Sequence, residues 1–167
     1  HSVISPDGTT IAFTYKGDIY TVPVAGGRAM QITTNPAYDT APVWSPDSKR
    51  IAFASDRMGS LDVYIVAKDG GEPRRLTTHS GSETPLAFTD AGHVLFSAGI
   101  MPSAEAVVFP SNGQFNQVYR VSVEGGRPTM ISSMPMECIS INKEGAMLYQ
   151  DKNCLLYTSD AADGIER

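Results

Sequence analysis

The chain has 167 residues, with 13 Lys+Arg against 18 Asp+Glu and a formal net charge of −5. That length suits one domain or a piece of one and can bury a core. A mildly acidic chain without a basic cluster argues against a nucleic-acid partner, and no apolar run approaches the ~20 residues of a membrane-spanning helix. The chain opens at His1 in mid-pattern and without a signal peptide, so its true N-terminus is expected upstream. Hydrophobic content of 41% with 15 Gly and 11 Pro reads as globular and turn-rich.

In chain order, Ser5-Pro6-Asp7-Gly8 leads into Thr9-Thr10-Ile11-Ala12-Phe13. The first four predict a β-turn, because proline sets φ, aspartate bonds the backbone and glycine accepts positive φ. Asp18-Ile19-Tyr20 predicts a further strand, Gly26-Gly27 a tight turn, and Ile32-Thr33-Thr34 a closing strand. The landmarks then return as Ser45-Pro46-Asp47-Ser48 before Ile51-Ala52-Phe53, Asp62-Val63-Tyr64, Gly70-Gly71 and Leu76-Thr77-Thr78. A third set opens weakly at Phe88-Thr89-Asp90-Ala91-Gly92 and continues with Gln117-Val118-Tyr119, Gly125-Gly126 and Ile131-Ser132-Ser133. Ile141-Asn142-Lys143-Glu144-Gly145 begins a fourth.

Each unit divides into four strands, in the second at about 41–45, 50–55, 61–67 and 73–78, rich in β-branched and aromatic residues. No stretch carries a 3.6-residue apolar rhythm. Four antiparallel strands recurring every 40–55 residues predict blades of a β-propeller. The fold class is therefore all-β, a partial propeller of about three and a half blades at about 1–34, 41–78, 84–133 and 137–150. A closed ring typically needs about four to eight blades. The remaining blades of a parent chain are thus expected as partners, covering apolar faces that an open stack leaves bare. Ile11 and Phe13, Ile51 and Phe53, and Val94 and Phe96 are expected on the sides facing a neighbouring blade. Trp44 and Phe88 are read as buried aromatics between blades, with ligand stacking as the other use.

The last residues read differently. Cys154-Leu155-Leu156-Tyr157-Thr158-Ser159-Asp160-Ala161-Ala162-Asp163 resembles the translation of a transposon-end sequencing adapter, and residues 154–167 are read as a non-native tail. The other reading makes Leu155-Leu156-Tyr157 the third strand of the fourth blade. Cys138 and Cys154 can form at most one bridge. Without the tail, Cys138 is expected to be a buried free thiol.

Chemistry-bearing patterns are sparse. There is no Gly-x-Ser-x-Gly elbow, no Cys-x-x-Cys or calcium-loop pattern and no glycine-rich phosphate cradle. The three histidines are scattered. His79, Ser80 and Glu83 hold the residue types of a triad, which a polar loop also collects by chance. No catalytic, cofactor or metal site is expected here. Up-and-down topology puts the Pro-Asp and Gly-Gly turns at one end of the strands. Tyr38, Asp39, Asp56, Arg57, His79 and Glu83 fall at the other end, with the long 99–116 insertion, as possible peptide-contact residues. Val107, Val108, Phe109 and Phe115 of that insertion either cap the blade or meet a peptide. Arg57 either clamps a peptide carboxylate or pairs with Asp56 or Asp62.

The motif set Ser-Pro-Asp-Gly, Ile-Ala-Phe, Asp-Ile-Tyr, Gly-Gly and Leu-Thr-Thr resembles the Pro-Asp propeller repeat of TolB-type and tricorn-type proteins over residues 1–153. Tyr15-Lys16-Gly17-Asp18-Ile19-Tyr20, Asn35-Pro36-Ala37-Tyr38-Asp39, Ser55-Asp56-Arg57 and the insertion from Met101-Pro102-Ser103 to Gly113-Gln114-Phe115 look closer to bacterial tricorn-type homologues. Ser48 departs from the pattern's glycine, and the later turns lack Ser-Pro. The resemblance implies a non-catalytic segment of a serine peptidase that gates or channels peptides to a downstream protease domain, with peptides or a protein as partners. Two alternatives stay open: a TolB-type interaction scaffold of the bacterial envelope, or the propeller of a prolyl-oligopeptidase-like hydrolase. The same resemblance tilts the expected location to the periplasm, with the cytoplasm as the alternative.

Overall fold

The computed structural model describes residues 1–79, 81–99, 117–132, 136–142, 146–151 and 156–160. Ser80, Val107, Val108, Phe109, Phe115 and Cys154 lie outside the described residues, as does the side chain of Cys138.

The first sheet runs β1 (Ser2–Ile4), β2 (Thr10–Tyr15), β3 (Asp18–Pro23) and β4 (Met30–Gln31), in that spatial order. The second is β5 (Asp39–Trp44), β6 (Arg50–Ser55), β7 (Asp62–Ala67) and β8 (Arg74–Arg75). The third is β9 (Glu83–Asp90), β10 (His93–Ala98), β11 (Gln117–Ser122) and β12 (Thr129–Ser132). All neighbours within these sheets are antiparallel, the up-and-down blade expected.

A fourth sheet holds β13 (Met136–Ile141), β14 (Ala146–Asp151) and β15 (Leu156–Asp160). It has one more strand than the half blade expected, and that strand comes from residues read as a tail. Leu156-Tyr157-Thr158 supplies residue types that favour a pleated strand, and Tyr157 lies opposite Tyr149.

Two strand boundaries in the second sheet differ from the sequence reading. β5 begins at Asp39 rather than 41, because a register shift between Thr40 and Val43 lets the ladder continue past Ala41, at φ 51°. The fourth strand shortens to Arg74–Arg75 because a side chain replaces the ladder beyond it: the Val63 amide donates to the Thr77 hydroxyl at 2.9 Å. The first sheet repeats this device between Ile19 and Thr33, at 3.0 Å.

The Pro-Asp turns explain why those residue types recur. Ser5 Oγ donates to Asp7 at 2.5 Å, and the Thr9 amide donates to the same carboxylate oxygen at 3.0 Å. Ser45 and Lys49 do the same for Asp47, at 2.6 and 3.2 Å. These donors hold both carboxyls below the ordinary aspartate value, the serine hydroxyl contributing most. Ser48 takes glycine's left-handed place at φ 57°, and its hydroxyl accepts the Asp7 amide of the first blade at 3.1 Å.

Apolar residues lie between blades. Ala12, Ile19 and Ile32 of the first sheet pack with Trp44, Ile51, Phe53, Tyr64 and Val66 of the second. Ala52, Val63, Ile65 and Leu76 meet Phe88, Val94, Phe96, Tyr119 and Val121 of the third. Trp44 and Phe88 are thus inter-blade core, and the Trp44 indole N–H donates to the Val3 carbonyl at 3.2 Å. Phe53–Tyr64 and Phe96–Tyr119 are cross-strand stacks with centroids 5.9 and 5.7 Å apart, each covered by the preceding blade. Phe13–Tyr20 forms the same stack at 5.8 Å, on the side of the first sheet turned away from the second. Both of its residues stay half-exposed.

Candidate functional site

The end of the strands opposite the Pro-Asp turns resolves into two junctions, one per pair of successive blades. At the first, the Asp39 amide donates to the Gly17 carbonyl at 2.7 Å and fixes the entry of β5 against the β2–β3 turn. Its carboxylate is 0% exposed and receives the Arg57 Nη2 on both oxygens, at 3.1 and 3.0 Å. Arg57 Nε donates to Ser55 Oγ at 2.8 Å, and its guanidinium lies over the Tyr64 and Phe53 rings at 4.6 and 5.6 Å. The strand register brings these groups together, since Asp39 lies opposite Ser55.

The expected alternatives for Arg57 need correction. Neither Asp56 nor Asp62 is its partner. Asp56 Oδ1 accepts the Tyr38 amide at 2.7 Å, and Asp62 pairs with Arg75 at 2.9 Å. A guanidinium already held by Asp39 and Ser55, with 12% of its side chain exposed, has little left for a peptide carboxylate. Tyr38 is 54% exposed, its ring edge against Gly17. Of the six candidate residues, Tyr38, Asp39, Asp56 and Arg57 form one linked group.

The second junction repeats the first with a missing piece. The Glu83 amide donates to the Leu61 carbonyl at 2.7 Å, as Asp39 does to Gly17. Glu83 is 0% exposed, and neither carboxylate oxygen has a hydrogen-bond partner among the described residues. Its register partner is Ala98, where Asp39 has Ser55. Burial pushes the carboxyl up to about 7, and the Asp62 charge adds to the rise. The Thr77 hydroxyl, Arg75 and the His79 amide temper that rise, but the hydroxyl and the amide do not reach hydrogen-bonding geometry with it. His79 Nδ1 accepts the Gly81 amide at 3.1 Å, so His79 and Glu83 do not form a hydrogen-bonded relay.

Arg75 belongs to this site and escapes a search for motifs. Its signal is spacing: Arg75 follows Asp62 by thirteen residues, as Gln31 follows Asp18, and Gln31 Nε2 donates to Asp18 at 3.1 Å. A cavity of about 690 Å³ lies away from both junctions, along β3 and β4 with Arg28, Lys68 and Asp69, and none of the six candidates lines it. Among the described residues no group of His, Cys, Asp and Glu is arranged to hold a metal, and no helix is long and apolar enough to cross a membrane.

Successive sheets of four antiparallel strands, with their apolar sides buried against one another, define a repeat propeller. The chain belongs to the tricorn protease N-terminal beta propeller domain family, whose model matches residues 3–158. It is 36% identical over 91 residues to tricorn protease homolog 1 of Streptomyces coelicolor, covering 54% of this chain and 8% of that protein. It is 32% identical over 108 residues to the peptidase YuxL of Bacillus subtilis, covering 58% and 16%. The putative TolB from Agrobacterium tumefaciens superposes with a TM-score of 0.67 at 26% identity, over 98% of this chain and 55% of that one. The chain therefore spans a small part of the length of the curated relatives it matches.

Proposed function

We propose that this propeller segment is non-catalytic and gates or channels peptides to a serine peptidase domain elsewhere in its parent polypeptide. The observation that carries the reading is the tricorn propeller match across residues 3–158, joined to relatives described as peptidases. The junction chemistry is in keeping with it, because the charged groups described there are committed to blade packing or buried. Peptide contact then falls to exposed groups such as Tyr38 at the same end of the strands. The proposed location is the periplasm.

The test uses both the chain and the intact polypeptide. The purified chain is expected to leave fluorogenic peptides uncut, and turnover abolished by a serine-directed inhibitor would overturn the assignment. In the intact polypeptide, removing these blades is expected to raise cleavage of unfolded proteins relative to short peptides. An unchanged ratio refutes gating. A second reading, a TolB-type protein-interaction scaffold, draws on the superposition with the putative TolB. An intact gene without a peptidase region would favour it.

A further inference from the structure

The two junctions are built alike except for one charge. Asp39 and Glu83 each open the innermost strand of a blade, each anchors its amide to the preceding blade, and each carboxyl is fully buried. Asp39 has Arg57. Among the described residues Glu83 has no equivalent: Ala98 stands opposite it in place of Ser55, and the sequence of residues 99–116 contains neither lysine nor arginine. An unpaired buried carboxylate is far less stable than the neutral acid. We propose that Glu83 is a proton-operated latch between the second and third blades, closed as the neutral acid and loosened when it ionises.

The surrounding charges favour the closed, neutral form. β7 brings Asp62, whose carboxylate already pairs with Arg75 of β8 at 2.9 Å. Arg75 Nη2 donates to Asp62, and no hydrogen bond joins this guanidinium to either Glu83 oxygen, so its charge only tempers the rise. In the second sheet Asp39 and Arg57 pair with each other. β10 offers Ala98, and β13, which packs on β9, carries one further acid in its sequence, Glu137.

The sign follows from proton affinity. The folded value of about 7 lies above the ordinary 4.5, so the folded chain binds this proton more tightly than the unfolded chain. The contribution is fully present below about 4.5 and is lost as pH rises through about 7. The folding equilibrium constant should fall on the order of 10²-fold across that window, roughly tenfold for each pH unit crossed.

The experiment is urea denaturation of the whole chain from pH 5 to pH 8.5, with hydrogen exchange followed in residues 76–90. Glu83→Gln is expected to flatten the pH dependence and keep the strand entry protected at the alkaline end. Histidine also changes charge near neutrality, so His79→Gln serves as the control and is expected to retain the slope. Asp62→Asn keeps the test open if Glu83→Gln does not fold. Removing the adjacent charge and freeing Arg75 should move the transition to lower pH. A Glu83→Gln slope equal to that of the parent chain, a slope abolished by His79→Gln, or an unmoved Asp62→Asn transition overturns the latch.

Discussion

Replacing Arg57 with methionine tests whether charge holds the first junction together. The substitution leaves Asp39 fully buried and takes away the guanidinium that contacts both its oxygens at 3.0–3.1 Å. Breaking a buried pair from one side costs about 3–5 kcal/mol, because the remaining charge is left uncompensated. Loss of the guanidinium from the Tyr64 face, 4.6 Å from the ring centroid, adds about 1 kcal/mol, offset in part by methionine packing. Against a domain stability of about 5–15 kcal/mol, this is a large fraction. With a urea m-value of about 1–3 kcal/mol per molar, it moves the denaturation midpoint by roughly 2 M. The companion Asp39→Asn in the Arg57→Met background should recover most of the loss, since the buried group is then neutral. Arg57→Lys should fall between, keeping charge but losing the fork that reaches Ser55 and Asp39 together. A loss of less than about 1 kcal/mol for Arg57→Met, the range of exposed pairs, would refute the reasoning.

Ser48→Ala should destabilise the chain by about 1 kcal/mol through loss of the acceptor for the Asp7 amide. Ser48→Gly should be close to neutral, because relief at φ 57° offsets the same loss by about 1 kcal/mol; denaturation midpoints separate the two. Trp44 is the sole tryptophan, and burial should give it blue-shifted fluorescence shielded from iodide until unfolding. Trp44→Phe should cost about 1–2 kcal/mol by stranding the Val3 carbonyl, read by circular dichroism. Phe53→Ala should cost about 3–5 kcal/mol from a fully buried stack. Phe13→Ala should cost about 1–2 kcal/mol, in proportion to its partial burial. In a longer polypeptide that carries a preceding blade, the Phe13 value should rise to that of Phe53. Equal values for the two in the present chain would contradict a bare first face.

What could be read from the sequence was whatever a few adjacent residues determine. Ser-Pro-Asp fixes its turn through hydrogen bonds spanning two to five positions, so Asp7 and Asp47 announce themselves. Phe13, Phe53 and Phe96 do so through the two-residue period of a pleated strand. The candidate site was legible as a set of positions but not as a set of pairs, because pairing depends on register. Arg57 sits beside Asp56 in the chain yet binds Asp39, eighteen residues away, since β5 and β6 lie antiparallel with Asp39 opposite Ser55. Asp56 is drawn off by a backbone amide that no charge pattern reveals. Glu83 is harder still, because its distinguishing feature is a partner replaced: Ser55 and Arg57 in one blade become Ala98 and a cation-free insertion in the next. Only aligning the two units on their strand register, rather than on their turn motifs, makes that exchange visible. The turn motifs specify how each blade folds, whereas the residues that differ between otherwise equivalent junctions set where the stack is locked by an ion pair and where it answers to pH.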